Sequence, residues 1–195
     1  MERVRRYALL LCSVVMASMA FSDALARRSD SSAPVEAGAQ LVRLEAAAGS
    51  FALVLVANAD LYNLPRGIRR VVVLVEGDSN SSESQLDGQS DTLILVPQFS
   101  VADGRKRPVD LPVWHSEQAW VEGEVSSEGH VGLSAFTLLD ALVSYLGRSS
   151  HFPQLQEVVF VGRGTTADLV ARHRSRPQVA TSFRIRHVNT RLAQH

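Results

Sequence analysis

The chain has one cysteine, Cys12, in 195 residues. Cys12 lies in an N-terminal segment expected to be cleaved. The mature protein then has no disulfide, no thiol nucleophile and no cysteine metal ligand. Net charge is lacking too, because 20 Lys and Arg balance 20 Asp and Glu. That balance argues against a global basic field for nucleic acid, and there is no acidic tail. The six histidines are His115, His130, His151, His173, His187 and His195. None forms an H-x-H or H-x-x-x-H pair, so no metal site is expected. The apolar run 7–21 is interrupted by Ser13 and Ser18. It falls short of the roughly 20 residues that a bilayer span needs. Aromatic residues are few, at 6%, which draws attention to Trp114 and Trp120.

What is present fits a folded globular chain: 46% hydrophobic and 21% charged residues. The length suits one domain, and no internal repeat is visible. Arg3, Arg5 and Arg6 precede the apolar run, and Ala24-Leu25-Ala26 follows it. This is the pattern of a signal peptide, 1–26, with cleavage after Ala26. A secreted or periplasmic protein with no stable membrane span is the expectation. Leu11 stands where a lipoprotein needs a small residue before Cys12. Residues 27–40, rich in Ser, Ala and charge, are expected to be a flexible mature N-terminus. Residues 41–195 form the domain. Asn80-Ser81-Ser82 is a formal glycosylation sequon, informative only in a eukaryotic secretory pathway.

Residues 41–45 and 50–56 suggest two strands of a hairpin joined by a small-residue turn. Three β-branched runs follow, 69–76, 92–97 and 158–161, each with the composition of a strand covered on both faces. A short helix is expected over 83–88, and 100–112 is a charged loop with two prolines. Helical periodicity runs from Leu133 to Leu146, with Ser134 as N-cap and Gly147 as C-cap. A second helix is expected over 165–173. Alternation over 181–188 marks a last strand. Strands alternating with helices predict an α/β three-layer sandwich with a mostly parallel sheet.

The central stretch is a buried strand, then Gly162-Arg163-Gly164-Thr165-Thr166, then a helix. Around it stand Glu76-Gly77 with Asn80, Pro97-Gln98-Phe99, Trp114, Trp120 with Gly123, and Phe136 four residues before Asp140. In order and spacing these features resemble secreted, poorly characterised α/β-hydrolase-fold proteins of bacteria and fungi, over roughly residues 51–189. The resemblance implies a shortened α/β-hydrolase fold. It implies a nucleophilic Ser at 164 in a Gly-x-Ser-x-Gly elbow, and a His at 76 opening the oxyanion turn. This chain departs at each point. Gly164 has no side chain, Arg163 and Thr166 replace the flanking His and second Gly, and Thr166 adds bulk where helix and strand pack closely. Glu76 would repel a developing oxyanion. The acid and His of a triad would follow the Ser, yet Asp168 sits within the helix, and His187 and His195 come too early in the fold. No catalytic residue and no enzymatic activity are expected.

Two alternatives stand beside that reading. One is a weak serine ester hydrolase using Ser79, Ser100 or Ser134. The other is an anion- or nucleotide-binding module at 162–167, since those residues match G-x-G-x-x-A. For the second, the bland account is that glycines permit a sharp turn, and no cofactor is expected. Trp114, His115 and Trp120 form a candidate pocket wall, against plain loop packing. Arg163, Arg172, Arg174, Arg176, Arg184, Arg186 and Arg191 make the C-terminal end basic. They read as a solvated face, with an anionic partner as the alternative. A last strand with nothing beyond it leaves a sheet edge through which the chain would self-associate.

Overall fold

The computed structural model describes residues 38–77, 90–148, 150 and 152–190. Strands β1 (Gly38–Ala46) and β2 (Gly49–Ala57) form an antiparallel hairpin, with Ala46 opposite Gly49 across a two-residue turn. β1 thus takes in residues 38–40, which the composition had assigned to the flexible N-terminus. The β-branched runs become β3 (Arg70–Val75), β4 (Thr92–Gln98) and β8 (Glu157–Arg163). With β9 (Arg184–Thr190) they complete a six-stranded sheet in the order β1-β2-β4-β3-β8-β9.

This sheet is mixed, not mostly parallel. β3 pairs parallel with β4 and β8, and β8 with β9. β2 pairs antiparallel with both β1 and β4. A two-residue turn allows only an antiparallel partner, whereas the parallel pairs need long crossovers.

Helix α2 (Ala135–Arg148) lies between β4 and β8 in sequence, and α3 (Thr166–Arg174) between β8 and β9. Ser134 Oγ accepts from Thr137 N at 3.2 Å, which caps α2 as expected. The helix does not stop before Gly147 but runs through it to Arg148. Both helices join one core with the inward residues of the sheet, among them Phe51, Val73, Leu95 and Phe160. The opposite face carries a smaller cluster of Leu74, Ile94 and Val96. No helix covers that face among the described residues, so the expected third layer is not seen in them. The helix expected over 83–88 falls outside the described residues.

The stretch between β4 and α2 is more structured than its charge and prolines suggest. β5 (Ser100–Val101), β6 (Pro112–Trp114) and β7 (Glu128–Gly129) make a second, three-stranded sheet. Helix α1 (Glu117–Glu122) follows β6, capped by Ser116 Oγ accepting from Ala119 N. Arg172 of α3 donates to the carbonyls of Val121 and Glu122 at the end of α1, so the two helices are tied together. Among the described residues no helix is long and apolar enough to cross a membrane.

Candidate functional site

The strand-turn-helix at β8 and α3 is the sharpest local feature. Gly164 has φ of 56°, a left-handed conformation that glycine adopts without strain. At Gly162 the helix almost touches the strand. A Cβ there would sit 2.6 Å from Thr166 O and 2.8 Å from Val170 Cγ2. Gly162 therefore carries the close packing that the sequence had associated with position 166.

Thr166 is fully buried and its side chain fits the turn rather than spoiling it. Its hydroxyl accepts from Arg163 N at 3.0 Å. It donates to Val75 O at 2.5 Å, with Arg163 O at 3.0 Å as a second acceptor. The end of β3 is thereby fastened to the turn. Two of the backbone donors here are already used: Gly164 N bonds Thr190 O, and Ala167 N bonds Gly164 O, both at 3.3 Å. An anion at residues 162–167 would have to compete with these bonds.

Glu76 and Gly77 follow β3 and stand beside this turn. A Cβ built on Gly77 would clash with the Glu117 carboxylate and lie 3.4 Å from Thr165 Oγ1. The start of α1 is thus pressed against the turn. Next to it opens a cleft of about 370 Å³, at the C-terminal ends of β3 and β4. Glu76, Gln98, Ser100, Asp103, Arg107 and Trp120 are among its lining residues. Arg107 Nη1 donates to Asp103 Oδ1 at 2.8 Å. The Arg105 backbone N–H and the Arg107 guanidinium hold the Asp103 carboxyl below its ordinary pKa. The cleft is polar, with two carboxylates and the Arg107 guanidinium in its lining, and among the described residues no histidine lines it.

The tryptophans lie under and along this cleft. Trp120 is buried and stacks on Phe99, with 4.2 Å between centroids and 6° between planes. Trp114 is fully buried, meets Phe99 edge-on, and donates its indole N–H to Glu124 O at 2.9 Å. His115 is exposed, 3.9 Å from the Glu124 carboxylate, and is not among the lining residues. Of the candidate serines, Ser100 lines the cleft and Ser134 is occupied as a helix cap. Ser79 and His195 lie outside the described residues.

The structure also joins three titratable residues that sequence spacing did not. His173 on α3 is fully buried. Its Nε2 lies 3.0 Å from Asp140 Oδ1 on α2, and its Nδ1 2.9 Å from His187 Nε2 on β9. A carboxylate only accepts, so His173 carries its proton on Nε2. With a neutral His173 ring its Nδ1 accepts from His187 Nε2–H, and with a protonated ring it donates to His187 Nε2. Burial pushes the His187 pKa down to about 4, and His173 and Arg174 add to this. Phe160 stacks on His187 and meets His173 edge-on. His173 sits seven residues past the start of α3. At 1.5 Å per residue that is about 10 Å along the helix from the turn. The chain Asp140–His173–His187 is directed across the helix layer, and Gly164 offers it no nucleophile. A signal existed in the sequence. β9 alternation puts Phe183, Ile185 and His187 on one side, and Asp140 interrupts the apolar stripe of α2.

No protein-family model and no curated protein matches the chain. Among solved structures, the siderophore hydrolase EstA from Aspergillus nidulans is similar to it at a TM-score of 0.36 and 12% sequence identity. The match covers 74% of this chain and 54% of that one, so the chain spans about half the length of that hydrolase.

Proposed function

We propose that this is an exported α/β-hydrolase-like protein that does not catalyse acyl transfer and acts by binding at the cleft beside β3 and β4. Gly164 carries the reading: the turn that would present a nucleophile keeps its left-handed geometry and has no side chain there. Two further observations support it. The cleft carries the Glu76 and Asp103 carboxylates, with Glu117 packed on Gly77, where an oxyanion would need donors. Among the described residues, the Asp140–His173 pair stands about two helical turns from this turn and is engaged with His187. Ser100 lines the cleft, so a weak serine hydrolase is the second reading.

A chromogenic short-chain ester assay tests both. The expected result is no turnover above buffer for the wild type, and none for Gly164→Ser, because among the described residues no histidine lines the cleft beside that turn. Wild-type turnover abolished by Ser100→Ala would overturn the proposal in favour of the second reading.

A further inference from the structure

The far end of the sheet carries a feature that the cleft reading does not use. Glu157 opens β8, with Arg70 of β3 and Arg184 of β9 level with it on either side. Arg186 lies two residues further along β9, on the same face as Arg184. Arg70 Nε donates to Glu157 Oε2 at 3.1 Å, and Arg186 Nη1 to Oε1 at 3.5 Å. One carboxylate, with only 13% of its side chain exposed, thus has both oxygens in use. Arg69 and Arg184 are exposed, and among the described residues no ion pair holds either side chain. These residues, with Asp91 and Gln156, surround a concavity of about 450 Å³. Among the described residues four guanidinium groups face two carboxylates, which leaves an excess of positive charge in this lining.

We infer that this concavity, at the N-terminal ends of β3, β8 and β9, is a binding site for a small, multiply charged oxyanion of the phosphate class. Guanidinium groups match such oxyanions because their N–H forks meet two oxygens at once. Neighbouring strands are about 4.8 Å apart, so Arg70 and Arg184 flank Glu157 at a separation near 10 Å. A ligand with several charged oxygens can span that gap. A single carboxylate cannot. The volume lies in the range of small-molecule sites. Because Arg70 and Arg186 are already ordered by Glu157, binding need only recruit Arg69 and Arg184.

Titration calorimetry with inorganic pyrophosphate at low ionic strength tests this. Arg69→Gln/Arg184→Gln changes two exposed side chains. Arg105→Gln/Lys106→Gln, on the loop after β5, removes the same charge elsewhere. The wild type is expected to bind one pyrophosphate with sub-millimolar affinity. The first double variant should bind at least tenfold more weakly, and the second within twofold of wild type, all three with unchanged circular dichroism. No wild-type binding, or equal loss in both double variants, would overturn the inference. This outcome is independent of the ester assay, which reads the opposite end of the strands.

Discussion

Gly162 and Thr166 behave as a matched pair. One has no side chain because helix backbone occupies the space. The other is buried because its hydroxyl serves two strands at once. Gly162→Ala is expected to cost about 1–3 kcal/mol through overpacking against Thr166 O, a backbone atom that cannot rotate away. Thr166→Val keeps the volume but removes the hydroxyl that bonds Val75 O and Arg163 N. The cost expected is about 1–3 kcal/mol, and Thr166→Ser should recover most of it. Urea denaturation midpoints measure both effects, and a change below the error of the midpoint at Gly162 would contradict the close contact. The glycines of this turn were legible in the sequence, since strand-Gly-x-Gly-helix has few geometric solutions. The role of Thr166 was not, because its acceptor lies 91 residues earlier, at Val75.

At the scale of elements, the Asp140–His173–His187 chain joins α2, α3 and β9. The folded state holds His187 neutral, with its pKa lowered to about 4 from the ordinary 6.5. The unfolded chain takes up that proton at the ordinary value. The unfolded state therefore binds more protons between these pH values, and stability rises with pH across this window. The contribution is intact above about pH 6.5 and is lost as pH falls toward 4. His187→Gln keeps a hydrogen-bonding partner for His173 Nδ1 and removes the titration. Urea midpoints between pH 7.5 and 4.5 should fall less steeply for this variant than for the wild type. Equal slopes would show that His187 is not the responsible group. The β-branched runs made the strands legible, and Ser134 made the start of α2 legible. β5, β6, β7 and α1 were not, because elements of two to six residues are too short for periodicity to register. Sheet direction was also hidden. The β1–β2 hairpin shows in its turn, but the antiparallel docking of β2 on β4 depends on contacts across the whole domain. At the edge of the sheet, Arg184 and Arg186 of β9 supply the kind of charge that discourages strand addition.

For the whole molecule, the proposal of export makes a prediction that needs no assay of function. Expressed from its own N-terminus in a secretion-competent host, the chain should be recovered outside the cytoplasm beginning at Arg27. Intact-mass analysis of the recovered protein checks this. A product retaining residues 1–26 would contradict it.

The strand order has a consequence for how such a chain is made. β3 sits at the centre of the sheet, yet one neighbour, β8, begins 87 residues later, where Glu157 meets Arg70. Synthesis therefore delivers the middle of the sheet long before its partner exists. Pairings this distant in sequence close slowly. During that delay only the β1–β2 hairpin is complete among the strands that precede β3. A nascent chain therefore cannot finish this sheet until β8 and β9 emerge. Under the export proposed above, late closure would keep the chain threadable while it enters a translocation channel.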